Sequence, residues 1–142
     1  MSKGNTFEND LLKLIFNGET IPQLADNTAT SPVAFLYVAL HTADPGEGGS
    51  QTTNEINYTG YARVAVARNA AGWTVTANSV SPTQNIDFPT GTGGSGNATH
   101  FSVGTALNGT GKILYKGTLT PSIACGNGVT PRISTNSTIT ED

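Results

Sequence analysis

Charge is scarce in this chain. Asp, Glu, Lys and Arg together make 12% of the 142 residues, where an average globular domain carries about 25%. The seven Lys and Arg are scattered rather than grouped, so there is no basic stripe for a phosphate backbone, and no nucleic-acid partner is expected. Cysteine is nearly absent. Cys125 alone cannot close an internal disulfide, which makes the fold independent of oxidation and leaves this residue as a small buried thiol. His41 and His100 are the whole complement of imidazole, too few for a His-rich metal cluster. Also missing is any apolar run near the roughly 18 residues of a membrane helix. Met1 to Lys3 leads into a Glu- and Asp-containing segment with no secretory signal, so the expectation is a soluble protein with no membrane partner.

What is abundant is Thr, Asn, Ser and Gly, the last at 17 copies, beside an apolar share of 36%. This composition suits strands joined by many turns and is poor for a helical bundle. Disorder, the other reading of low hydrophobicity, ordinarily accompanies high net charge, and here the net charge is −3. A chain of this length can bury about 70% of its unfolded surface, enough for one core without staples.

The most apolar stretch runs from Phe35 to Thr42. It is too short for an ordinary helix and bounded by turn formers, so it reads as the central strand. Leu36, Val38 and Leu40 fall on one face and Phe35, Tyr37, Ala39 and His41 on the other, the pattern of a strand covered on both sides. Pro45 and Gly46 then break the ladder. Upstream, Asn5 or Thr6 can cap a helix, and Glu8 completes a capping box with Asn5. Phe7, Leu11, Leu14 and Ile15 share one face at the helical period, Leu12 widens it, Glu8, Asn9 and Lys13 point away, and Asn17-Gly18 ends the helix.

Downstream, Ser50 to Gly60 is a polar excursion, Tyr61 to Arg68 resumes alternation with Val64 and Val66 inward and Arg63 on the other face, and Trp73 to Ala77 pairs with it as a hairpin. Ser79 to Pro82 reads as a break, Ile86 to Phe88 as a short strand, and Pro89 to Gly96 as a flexible surface loop. Strands follow at Ala98 to Gly104 and Lys112 to Leu119, with short ones at Pro131 to Ser134 and Ser137 to Thr140. The fold expected is mainly β: a single-domain antiparallel β-sandwich or jelly roll over residues 1–142, with an N-terminal α-helix at 5–17, a connector at 18–33 and the sandwich at 34–142.

No motif here carries chemistry. Gly91 to Gly96 has the G-x-G-x-x-G shape but leads into a strand rather than a helix, which removes the dinucleotide reading. There is no G-x-S-x-G elbow, and Cys125 lacks a local activating base. The carboxylates Asp44, Glu47, Glu55 and Asp87 read as solvated, and the two histidines as satisfied strand residues. Asn57-Tyr58-Thr59, Asn97-Ala98-Thr99, Asn108-Gly109-Thr110 and Asn136-Ser137-Thr138 match the glycosylation acceptor pattern, as a chain rich in Asn and Thr does by chance. No catalytic, metal or cofactor site is expected, and a small hydrolase is the weakest reading because no nucleophile and base pair can be named.

The helix Thr6 to Phe16, the segment Leu36-Tyr37-Val38-Ala39-Leu40-His41-Thr42-Ala43-Asp44-Pro45-Gly46, the step Gly60-Tyr61-Ala62-Arg63, Ile86 to Pro89 and Thr99 to Gly104 together resemble the small virion proteins of tailed bacteriophages, often labelled tail-fibre proteins. That resemblance covers nearly the whole chain and implies a non-enzymatic virion structural protein, assembled in the host bacterium, with no transferable catalytic residues. The expectation drawn from it is a capsid decoration or cement protein on the outside of the head, bracing neighbouring capsid subunits, with the major capsid protein and itself (a homo-oligomer such as a trimer) as partners. Candidate interface residues are Phe7, Leu11, Leu14 and Ile15 on the helix, and Asp44, Glu47, Tyr58 and Tyr61 around the following loop. The alternative is a tail-fibre or baseplate-associated protein binding a host glycan through Tyr58, Tyr61 and loop 90–96. The absence of coiled-coil heptads or a fibrous repeat weighs against a shaft.

Overall fold

A computed structural model describes residues 5–21 and 32–141. The chain is mainly β, with antiparallel sheets and one short N-terminal helix. It divides into two compact units, the smaller from Met1–Phe35, Val66–Asn85 and Ser134–Asp142, the larger from Leu36–Ala65 and Ile86–Ile133. Most of the expected connector, residues 22–31, lies outside the described residues, as does the Asn5 side chain on which the capping box depended.

In the smaller unit, helix α1 (Asn5–Leu12) continues as a π-helical turn (Lys13–Asn17) and stops at Gly18, whose φ of 69° is a left-handed cap that glycine adopts without a Cβ penalty. The buried face is not the one the apolar count selects. Leu12 and Phe16 have no exposed surface and Glu8 is buried with them, while Leu11, Leu14 and Ile15 are half-buried and Phe7 is 40% exposed. The change to π winding shifts the phase of the last turn, and the partner surface decides which side is covered: the Phe16 ring meets Trp73 edge-on at 4.7 Å.

Trp73 opens β3 (Trp73–Thr76), which pairs with β4 (Ser79–Pro82) across a two-residue turn at Ala77 and Asn78. The expected hairpin with the preceding strand is therefore not formed, and the supposed break at Ser79 to Pro82 is a strand. Pro82 is tolerated because it is the last ladder residue, opposite Trp73. Ala77 takes a left-handed φ of 52°, and its carbonyl accepts from Asn9 Nδ2 at 2.6 Å, so a residue expected to face solvent ties helix to turn. Strand β9 (Ile139–Thr140) completes the sheet on the free side of β4.

Arg68 fastens the helix end. Its Nε donates to the Ile15 carbonyl and its Nη2 to that of Leu14, both at 2.6 Å, with a longer bond from Nη1 to Val33. Carbonyls in the last turn have no intrahelical partner, and the negative end of the helix dipole favours a cation there. Arg68→Ala should cost about 2 kcal/mol, the usual worth of hydrogen bonds to a charged group. Arg68→Lys, which keeps the charge but not the fork, should lose less. Urea unfolding followed by Trp73 fluorescence reads both, and equal midpoints for Arg68→Ala and wild type would contradict the assignment.

A four-stranded sheet has the order β2-β1-β6-β7, with β1 (Phe35–His41), β2 (Val64–Ala67), β6 (Ser95–Gly104) and β7 (Ile113–Gly126). The stretch expected at the centre is an interior strand, with Leu36, Val38, Ala39, Leu40 and His41 all buried. β6 and β7 form a long hairpin that runs beyond both expected strands. Pro121 falls where the register shifts, between the Ala98–Ile123 and His100–Thr118 pairs, so its missing N–H interrupts no regular ladder. Strands β5 (Ile86–Asp87) and β8 (Arg132–Ile133) make a separate antiparallel pair.

Candidate functional site

The polar excursion before β2 is anchored by side-chain and backbone hydrogen bonds and is not an open loop. Glu55, read from sequence as solvated, forms a bidentate ion pair with Arg63: Nε reaches Oε1 at 2.7 Å and Nη2 reaches Oε2 at 2.8 Å. The Arg63 side chain is 3% exposed and that of Glu55 17%. Arg63 thus points into the unit, against the expectation that it would lie on an outward face. A guanidinium can be buried only if its donors are used, and here Nη1 also donates to Ala106 O and Nη2 to Gly109 O, both at 2.8 Å.

Tyr61 joins the same network. Its hydroxyl donates to Glu55 Oε1 at 2.9 Å and accepts from the Leu40 N–H at 3.1 Å, and burial pushes its pKa far above the ordinary phenol value. Tyr58 packs against it edge-on, ring centroids 5.5 Å apart, and donates to Pro89 O at 2.7 Å. Only 2% of Tyr58 is exposed, and burial raises its pKa to about 12. Tyr58 is therefore withdrawn from the surface aromatic patch that the adhesin reading requires, and half-buried Tyr61 spends its hydroxyl on internal partners. Loop 90–96 is likewise no free tip: Thr59 and Gly93 exchange a bridge, Gly91 N–H donates to Val129 O, and Gly91 O accepts from Gly128.

Gln51 supports the turn between β6 and β7 from beneath. Fully buried, it donates from Nε2 to Tyr37 O at 2.9 Å, accepts at Oε1 from the Ala106 N–H at 3.2 Å, and donates its own N–H to Gly111 O. Gly104 and Gly111 make room for it, since a Cβ on either would run into the Gln51 amide. The turn 105–111 is thus held by Arg63 at two carbonyls and by Gln51 at an N–H.

His41 is also buried and satisfied. A carbonyl can only accept, so the 2.8 Å contact with Thr53 O puts the proton on Nδ1, and Ser102 Oγ then donates to Nε2 at 2.8 Å. This contact supplies the nucleophile and base pair that sequence reading could not name. Both residues, however, have no exposed surface, so no acyl group can approach the hydroxyl. Its role is to lock β1 to β6 and to the loop at Thr53.

Burial lowers the His41 pKa below its ordinary value. At pH values between the folded pKa and the unfolded one, near 6.5, the unfolded chain binds more protons than the native one, so stability rises with pH there. His41 therefore contributes stability that is complete above about pH 6.5 and is lost as pH falls toward the folded pKa, with a limiting slope of about 1.4 kcal/mol per pH unit. Urea midpoints at pH 8, 7, 6 and 5 should decline in this window for the wild type and decline less for His41→Gln. Parallel curves would contradict the buried neutral imidazole.

The remaining carboxylate candidates, Asp44, Glu47 and Asp87, are exposed. Asp44 accepts from the Gly46 N–H at 2.8 Å and pairs with Lys116 at 3.0 Å, and these two contacts hold its carboxyl below the usual range. Glu47 is exposed. Asp87 is paired with Arg132, which likewise lowers its pKa. Cys125 is buried, as expected, and burial raises its pKa, so the thiol is a weak nucleophile. Among the described residues no group of three or more His, Cys, Asp or Glu could hold a metal ion, and no helix is long and apolar enough to cross a membrane.

A β-rich chain in which Arg63, Glu55, Gln51, His41 and Arg68 are spent on fastening strands, turns and a helix end has the character of a structural protein. The comparison with protein families gives it a place: the model described as podophage GP4 fiber I protein gp80 matches residues 2–141, and the chain belongs to that family of bacteriophage fibre proteins. A search of the curated proteins found no match. Membership supports the phage virion class that the sequence resemblance indicated.

Proposed function

We propose that the protein is a non-enzymatic structural subunit of a podophage fibre, carried on the tail side of the virion and associated there with copies of itself and with neighbouring virion proteins. The near full-length match to a fibre family carries this reading. It moves the balance away from capsid decoration, which sequence reasoning favoured because the chain has no heptads for a shaft. The interior of the larger unit agrees: Glu55, Arg63, Gln51 and His41 all spend polar atoms on partners within it, which makes that unit a firmly fastened body suited to repeated assembly. Such a body binds other subunits through neutral, Thr- and Asn-rich surfaces that are cheaper to desolvate than charged ones.

Co-sedimentation separates the two placements. Purified protein mixed with fibreless phage particles should pellet with them, in a saturating ratio set by tail symmetry, and should not pellet with tailless heads. Saturable binding to heads in the ratio of the capsid lattice would replace this reading with decoration.

A further inference from the structure

The chain holds three Asn-Gly steps, at Asn17, Asn108 and Asn127, and the structure treats them differently. Glycine has no side chain to shield its backbone nitrogen, so such steps are the ones where that nitrogen can attack the preceding amide. At Asn17 the Gly18 N–H is bonded to Lys13 O, and Asn17 Oδ1 is buried. At Asn127 the Gly128 N–H donates to Gly91 O at 2.8 Å. At Asn108 both residues are exposed, nothing stands within 4 Å of the position a Gly109 Cβ would take, and among the described residues the Gly109 N–H has no acceptor.

We propose that Asn108 is a site of spontaneous deamidation in the folded protein, the one Asn-Gly step of the three that the structure leaves open. A base in solution removes the Gly109 amide proton as the nitrogen attacks Asn108 Cγ. The bond from Cγ to Nδ2 breaks, and the amide nitrogen takes a proton from water and leaves as ammonia. Water then opens the cyclic succinimide at either carbonyl, giving aspartate or isoaspartate, with no oxidant or reductant involved. The product places a carboxylate on a turn that is otherwise uncharged from Thr105 to Gly111. The isoaspartate form also adds a backbone carbon next to Gly109, whose carbonyl Arg63 holds at 2.8 Å.

The test is internal to one protein. Native protein incubated at mildly alkaline pH is digested at intervals, and amide-to-acid conversion is mapped by mass spectrometry at the three sites, with a parallel incubation in urea. Conversion at Asn108 several-fold faster than at Asn17 and Asn127 when folded, with the three rates converging when unfolded, is the expected result. Equal rates in the folded protein, or conversion first at Asn17 or Asn127, would overturn the proposal.

Discussion

Arg63→Ala is expected to destabilise the larger unit by about 3–5 kcal/mol, the cost of removing one partner from a buried ion pair. The loss exceeds that of a contact because of what stays behind: a Glu55 carboxylate without its bidentate partner, and the Ala106 and Gly109 carbonyls without donors. Native domains are stable by only about 5–15 kcal/mol in total, so this one change should move the urea midpoint far. Arg63→Lys should fall between, because an ammonium keeps the charge but cannot reach a carboxylate and two carbonyls with one planar fork. Circular dichroism of urea-unfolded samples reads all three proteins. A loss under about 1 kcal/mol for Arg63→Ala would mean the pair behaves like an exposed one.

Gly91→Ala is expected to cost about 3 kcal/mol, at the upper end of overpacking penalties. The added Cβ would collide with the Gly126 carbonyl and stand 3.2 Å from the Tyr58 ring. The first obstacle is backbone and cannot rotate away. The strand crossing is pinned on both sides, by Gly91 N–H to Val129 O at 2.9 Å and Gly128 N–H to Gly91 O at 2.8 Å. Gly48→Ala supplies the control, since nothing lies within 4 Å of its Cβ position, and it should stay within about 0.5 kcal/mol of wild type. Equal midpoints for the two variants would show that the close approach at Gly91 can relax.

What could be read from sequence was what local pattern determines. The strand from Phe35 announces itself by apolar residues on both faces, and it is an interior strand. Gly18 ends the helix as the Asn17-Gly18 step implied, and His41, Trp73 and Cys125 are interior as expected. What local pattern does not determine was missed. Pairing between distant segments put Trp73 to Thr76 against Ser79 to Pro82 instead of against β2, and no alternation in either strand names its partner. The helix buries Leu12, Phe16 and Glu8 because a π turn and the Trp73 hairpin set its rotation, and neither is visible in a count of apolar spacing.

The buried polar cluster was less legible than the fold, and for a related reason. Gln51 and Glu55 sit in a stretch whose polarity resembles a solvated loop, yet Gln51 bonds to positions 37, 106 and 111, and Glu55 bonds to Arg63, which itself reaches 106 and 109. In a chain with only seven Lys and Arg, one placed between Gly60-Tyr61 and a Val-rich strand was the available hint that its charge serves the interior. Tyr58 and Tyr61 were likewise read as surface aromatics because nothing local indicates that Pro89 O and Glu55 wait for their hydroxyls.

The claim that the protein is a fibre subunit meets its most direct test in electron microscopy of intact virions labelled with gold-conjugated antibody against the purified chain. The account predicts gold at the tail end of the particle, on or beside the fibres, and none over the head. Gold distributed across the head surface, or virions that carry no label while the protein stays in the lysate, would contradict it.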